Sequence, residues 1–492
     1  MDLFRTKSVE QSISDTEEPD HRLRRDLGPL DLLIFGVGVI IGTGIFVLTG
    51  QVARDKAGPA VAISFLLAAV VCGLAALCYA EFSSTVPVAG SAYTFSYATL
   101  GEFPAWIIGW DLILELALGA AVVSVGWSGY LASLLSGIGI HLPASVLNPP
   151  GYNGGVLNIP AVLIVLAVTG LLVTGVKVSA RVNAVVVTIK VAIVLLVIFA
   201  GLFFIKGANY HPFIPPSQSN PSVSGAAAPL LQVLFGISPV SFGWLGIFAA
   251  LSIVFFAYIG FDIVATAAEE ARHPQRDLPI GLLGSLVVTA VLYVAVSLVV
   301  VGMQHYTELS VAAPLADAFK AVGHPAFATI ISIGAVAGLM TVVLIMLLGQ
   351  SRVFFAMSRD GLLPAWLSAV HPRFGTPYRS TLIMGSIVAI LAGLIPLAKL
   401  AELVNIGTLF AFVVVSVGVV ILRRTRPDLP RAFRTPLVPA VPVLSVLACL
   451  FVMLNLPVET WYRFFAWMAV GVIVYFGYGR SHSRLQAARS GV

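Results

Sequence analysis

The stretch Gly36-Val37-Gly38-Val39-Ile40-Ile41-Gly42-Thr43-Gly44-Ile45-Phe46 lies inside the first long apolar run and holds four glycines within nine residues. Each glycine costs up to about 1 kcal/mol relative to alanine in a helix interior. Such a run is either packed closely through its small residues or built to unwind. An unwound segment would free backbone N–H groups and expose a half-helix N-terminus, which together favour an anion. This stretch alone leaves both readings open.

The rest of the chain says what surrounds it. Of its 492 residues, 58% are hydrophobic and only 10% carry a charge, with a mean hydropathy of +0.98. Ordinary soluble domains carry about a quarter charged residues, so a soluble enzyme is excluded. Apolar runs of about 20 residues recur, each able to span ~30 Å of hydrocarbon. The three cysteines, Cys72, Cys78 and Cys449, all lie within apolar runs, which excludes a disulfide scaffold. The first apolar run is span-length and follows a polar leader, so no cleavable signal is expected.

The pattern predicts an all-α polytopic membrane protein with twelve spans, at roughly 30–50, 58–80, 103–135, 158–176, 182–205, 244–268, 279–303, 325–350, 380–398, 402–422, 437–456 and 461–479. Of the 28 Lys and Arg residues, Lys190 lies within a span. Arg54, Lys56, Lys206, Lys320, Lys399 and Arg463 fall on one side, and the remaining 21 fall on the other. The positive-inside rule then puts both termini in the cytoplasm. Topology accounts for the basic excess, so no nucleic-acid partner is expected.

A second stretch matches the first. Phe255-Phe256-Ala257-Tyr258-Ile259-Gly260-Phe261-Asp262 combines aromatics, a glycine and a carboxylate near the middle of the sixth span. An acid at that depth costs about 2.5–3.5 kcal/mol and needs a cavity or a partner. Spans 1 and 6 occupy corresponding positions of two five-span halves. Paired interrupted helices at such positions point to a secondary-transporter site between inverted repeats. The expected organisation is a cytoplasmic tail (1–29), a first five-helix repeat (30–205) and an extracellular loop (206–243). A second five-helix repeat (244–422), two peripheral helices (437–479) and a cytoplasmic tail (480–492) complete it.

Three further charges lie in apolar surroundings. Asp111 and Glu115 are four residues apart in the third span and share a helical face. They are expected to face the bundle interior, although Asp111 also reads as interfacial and Glu115 as a structural partner. Lys190 lies too deep in the fifth span to snorkel with ease. It reads as a protonation-switching group, a fixed cation or a static partner for an acid. The eight histidines show no metal-ligand spacing, and no glycine-rich loop ending in Lys-Ser or Lys-Thr is present. No metal, cofactor or ATP is therefore expected, and gradients must supply the driving force.

Several separated motifs resemble those of the amino acid–polyamine–organocation superfamily. They are Gly42-Thr43-Gly44-Ile45-Phe46, Phe256 through Asp262, Glu269-Glu270 through Pro279-Ile280-Gly281, and Ser358-Arg359-Asp360-Gly361-Leu362-Leu363-Pro364. Trp110-Asp111 to Glu115 and Lys190 look most like its bacterial cationic amino acid transporter branch. The resemblance implies two inverted five-helix repeats with helices 1 and 6 unwound at Gly42, Gly44 and Gly260, plus two peripheral helices. It also implies a substrate carboxylate on the amides of Thr43 and Gly44, and an α-ammonium on carbonyls at Ile40, Phe256 and Ile259. Ala257 belongs to the same contact set, and Phe256 would close over the substrate. Lys190 would take the place of a sodium ion, implying proton coupling. Glu115 and Asp262 would serve a cationic side chain, the proton, or both.

The expected function is proton-coupled uptake of L-amino acids, arginine and lysine included, across the cell membrane. A neutral amino acid carrier, an amino acid or polyamine exchanger and a channel are the alternatives. The expected partners are the L-amino acid, protons and membrane lipid; a small membrane subunit is left unassigned. No catalytic constellation suggests an enzyme.

Overall fold

The computed structural model describes residue 6 and residues 26–86, 88, 91–175, 180–220 and 223–485. Most of the expected N-terminal tail, and residues 486–492 of the C-terminal one, lie outside the described residues.

Helix α1 (Pro29–Ile40) begins with a proline, whose missing amide has no intrahelical acceptor at that position anyway. The Asp31 carboxylate accepts the Gly28 amide at 2.9 Å. The helix stops because Ile41 turns extended, at φ −69° and ψ 90°. Helical structure resumes at Gly44 through the wide turns Gly44–Leu48 and Ala53–Ala57 and ends in a Gly58–Ala60 corner. Helix α2 (Val61–Thr85) follows without a loop. Helices α3 (Glu102–Gly137), α4 (Ile159–Val173) and α5 (Ala180–Gly201) complete the first half. At 36 residues α3 is far longer than the ~20 that cross a bilayer upright, so it tilts or protrudes.

The second half repeats this plan. Helix α6 (Gly243–Val254) passes into a tight 3-10 turn at Phe255–Tyr258, an extended Ile259, and Gly260 at φ +116°. That backbone conformation is open to glycine and strained for any residue with a Cβ. A 3-10 segment, Asp262–Glu270, carries the chain onward. Helices α7 (Pro274–Met303), α8 (Pro325–Arg359), α9 (Tyr378–Leu394) and α10 (Leu397–Thr425) follow, then α11 (Ala440–Leu454) and α12 (Val458–Val474). Among the described residues, seven helical runs are long and apolar enough to cross a membrane, Gly44–Thr85 counting as one, and four shorter helices are apolar. This is a helical, polytopic membrane architecture. The strand pairing departs from an all-α reading only in the 206–243 loop, where Gln218–Ser219 pairs antiparallel with Val240–Ser241.

Packing follows a shift of five. Helix α2 lies on α7, α3 on α8, α4 on α9, and the two interrupted segments touch each other. The remaining contacts come in matched pairs: α1–α7 with α6–α2, α5–α8 with α10–α3, α5–α1 with α10–α6, and α5–α7 with α10–α2. The two halves thus share one packing plan. A glycine seam lets α3 approach its neighbours: a Cβ on Gly109 would meet Met357 Sδ at 2.7 Å, and one on Gly129 would meet the Ala312 carbonyl oxygen at 2.7 Å. Helix α11 packs on α10 and α2. Helix α12 is stapled to α3 by stacked Trp110 and Trp467 rings 4.6 Å apart, each indole N–H donating to the other residue's carbonyl.

At the C-terminal end of α2, the Glu81 carboxylate takes Arg423 at 2.7 and 2.8 Å, lies 3.4 Å from Arg431, and accepts the Thr435 amide at 2.8 Å. It thereby fastens the α10–α11 connection to α2. Removing one partner of a buried ion pair costs about 3–5 kcal/mol, because the other charge is stranded. Arg423 is partly exposed, so Glu81→Ala should fall at the lower end, near ~3 kcal/mol. The check is thermal unfolding in detergent, where an unshifted melting curve would dismiss the clamp.

Candidate functional site

Every residue singled out in the two interrupted spans is buried: Ile40, Thr43 and Gly44 in the first, Phe256, Ala257, Ile259 and Asp262 in the second. Gly44 and Ala257 mark the crossing. A Cβ added to Gly44 would overlap the Ala257 Cα, so the two backbones pass closer than any side chain allows. Gly42 faces more open ground, where an added Cβ would stand 3.7 Å from Val342 of α8. The two glycines of the motif therefore do different work.

The break in span 1 separates donors from acceptors. Beyond it the hydrogen-bond ladder resumes with the Phe46 amide on the Gly42 carbonyl at 3.3 Å. The amides of Thr43, Gly44 and Ile45 thus stand at the start of a half-helix, the positive end of its dipole. Thr43 is fully buried and its hydroxyl has no hydrogen-bond partner among the described residues. Gly126 of α3 packs against it, with 2.7 Å from a Cβ there to Thr43 Oγ1.

On the acceptor side, side chains from distant helices occupy carbonyls. The Lys190 ammonium donates to Gly38 O at 2.7 Å, and the Tyr293 hydroxyl donates to Ile40 O at 2.5 Å. The same hydroxyl lies against the Gly42 amide. Lys190 is fully buried, and its aliphatic stem fits only because α8 carries Gly338, where a Cβ would meet it at 2.8 Å. It forms no ion pair among the described residues, so the static-pair reading falls and a cation at a helix C-terminus replaces it. The carbonyl expected to bind at Ile40 thus already has one partner, with a second lone pair left.

In span 6 the Phe256 carbonyl accepts the Ile259 amide at 3.2 Å. Asp262 Oδ1 accepts the Gly260 amide at 3.3 Å, so this acid caps its own broken helix. Asn405 of α10 donates to Ser252 O at 2.6 Å and Ile253 O at 3.2 Å, just before the break.

The acids of α3 gather beside span 6. Glu115 lies near Asp262 and Asp111 and faces Thr408 of α10. Asp111 is fully buried, and neither of its oxygens has a hydrogen-bond partner among the described residues. A Cβ on Gly407 of α10 would come within 2.6 Å of Asp111 Oδ1. Tyr79 of α2 completes the group, close enough to feel Asp262, Glu115 and Asp111. Sequence reasoning found the acids, the lysine and the glycines. It missed Tyr293, Asn405 and Tyr79, each a polar side chain deep in an apolar helix, which is the signal that marks them.

The arrangement brings an amide-rich half-helix start and a set of exposed-edge carbonyls to one buried place between two crossing backbones. That pairing suits a ligand with an anion and a cation on adjacent atoms. Gly44→Ala should abolish such binding by forcing the backbones apart, whereas Gly42→Ala should retain at least about half of it, because its Cβ would make only ordinary van der Waals contact. Equal tolerance of both substitutions in a binding assay would disprove the crossing.

A family model described as amino acid permease matches residues 27–475. The chain is 49% identical over 487 residues to the branched-chain amino acid permease BcaP of Bacillus subtilis (strain 168), covering 98% of this chain and 99% of that protein. It is 46% identical over 484 residues to a methylthioribose transporter of the same organism, covering 98% and 99%. A vacuolar cationic amino acid transporter 4 of Arabidopsis thaliana is 38% identical over 427 residues, 87% of this chain and 68% of its own.

Proposed function

The chain belongs to the amino acid permease family, and from that premise we propose that it carries L-amino acids into the cell in symport with protons. The observation that carries this reading is the crossing of two interrupted spans at Gly44 and Ala257, with amides on one side and carbonyls on the other. The amides of Thr43 and Gly44 take the substrate carboxylate. Carbonyls at Ile40, Phe256 and Ile259 take the α-ammonium, and Phe256 covers the bound substrate. Twelve spans, both termini in the cytoplasm and residence in the cell membrane belong to the same proposal, supported by the distribution of Lys and Arg.

For the substrate side chain, an aliphatic group is favoured over the cationic one that the sequence motifs suggest. Val342 faces Gly42 across the break, and Asp262 is engaged by the amide of Gly260. The full-length relative at 49% identity is named for branched-chain amino acids. The cationic reading retains one support, the unpartnered Asp111 and Glu115 oxygens beside span 6.

Lys190 couples the proton to the cycle. Charged, its ammonium holds the Gly38 carbonyl and fixes α1 against α5; neutral, it loosens that grip. A proton thereby biases one arrangement over another, which is coupling in the thermodynamic sense.

Purified protein in liposomes tests this with labelled leucine, alanine, arginine, lysine and methylthioribose under an inward proton gradient. Leucine accumulation that a proton ionophore abolishes is the expected result, with Lys190→Ala losing accumulation while still binding leucine. Arginine outranking leucine would restore the cationic reading. Uptake indifferent to the ionophore but dependent on internal amino acid would make the protein an exchanger.

A further inference from the structure

The repeat relation makes a prediction about side chains as well as helices. Lys190 on α5 serves a carbonyl just before the break in span 1. Asn405 on α10, five elements later, serves carbonyls just before the break in span 6. The two halves thus use corresponding helices for the same task.

A second pair shows the same correspondence with one member idle. Tyr293 lies on α7, twentieth from its start at Pro274, and its hydroxyl bonds the Ile40 carbonyl at the span 1 break. Tyr79 lies on α2, nineteenth from its start at Val61, beside the span 6 break. Its ring meets Phe261 edge-on at 5.9 Å and Phe412 at 5.4 Å. Tyr79 is fully buried, yet its hydroxyl has no hydrogen-bond partner among the described residues. A buried hydroxyl left unpaired costs about 1–3 kcal/mol, and most buried polar groups are paired. One tyrosine of the pair is engaged at its break, and its counterpart is empty-handed.

We propose that Tyr79 and Tyr293 are alternating positioning residues: in the opposite access state the Tyr79 hydroxyl bonds freed backbone at the span 6 break while Tyr293 releases Ile40. Exchanging the roles of two inverted repeats exchanges which side is open, so the asymmetry at these hydroxyls must exchange with it. Each hydrogen bond then exists in one state only and contributes to the equilibrium between states. The groups facing Tyr79 are Glu115 and Asp111 of α3, Asp262 of span 6 and Cys449 of α11, with Phe412 of α10 and Phe95 against its ring. Acceptors are therefore near, yet the Tyr79 hydroxyl bonds none of them among the described residues.

The inference rests on the carrier reading, and its test is separate. In a background lacking Cys72, Cys78 and Cys449, a cysteine replacing half-buried Thr266 in the Asp262–Glu270 segment reports access by its maleimide labelling rate. Tyr79→Phe and Tyr293→Phe should shift that rate in opposite directions, each by up to about tenfold, the factor for a one-state hydrogen bond worth ~1.4 kcal/mol. Maximal uptake should fall in both. Labelling shifts of the same sign, or none while uptake falls, would assign both tyrosines a merely structural role. If Tyr293→Phe does not fold, Tyr79→Phe still decides: it must shift the labelling rate by at least about twofold, and an unchanged rate overturns the proposal. Failure of wild-type uptake would instead sink the carrier reading, leaving the labelling comparison interpretable by itself.

Discussion

Backbone groups released inside an apolar slab must be satisfied by the protein itself, since no water is there to take them. Two helices are interrupted among the described residues, and several buried polar side chains of the bundle answer that constraint. Lys190 and Tyr293 take carbonyls at the end of α1. The Tyr130 hydroxyl of α3 takes the Phe46 carbonyl at 2.7 Å on the far side of the same break. Asn405 serves the end of α6, and Asp262 caps the segment beyond it. Each hold is a few hydrogen bonds strong. That is the scale on which a ligand or a proton can shift populations.

Other buried polar groups are left without such holds. The amides at the start of the Gly44 half-helix have no side chain closing on them comparable to Lys190 or Asn405 among the described residues. The Thr43 hydroxyl, the Asp111 oxygens and one Glu115 oxygen are buried without partners among the described residues. Thr43 packs on Gly126 of α3, whereas Asp111 and Glu115 stand on α3 beside Asp262 of span 6 and facing α10. A polar group kept unpaired in an apolar interior is costly, and ionisable ones among them within the spans are candidates for function.

Much of this was readable from residues alone, because it depends on local chemistry. Gly42-Thr43-Gly44 and Gly260 read as breaks, and Gly260 stands at φ +116°. Lys190 stands deep in an apolar helix, and its burial follows. The pairings were not readable, because they join residues far apart in sequence: Tyr293 and Ile40 are 253 positions apart, and Asn405 and Ser252 are 153. The role of Asp262 was also hidden. A carboxylate in an apolar span looks like a ligand group, and the bond from the Gly260 amide to its Oδ1 is not legible in the sequence. Spacing alone does not say which helix Asp111 packs against, and the structure puts Gly407 of α10 there.

The central claim is that backbone at the paired breaks reads both charged ends of an amino acid. Its most direct test is competition for leucine binding by leucinamide, which lacks the carboxylate, and by 4-methylpentanoate, which lacks the ammonium. The account predicts that neither displaces labelled leucine at concentrations where unlabelled leucine does so fully. Effective competition by either compound would show that one of the two half-helix ends takes no part in binding, and would contradict the account.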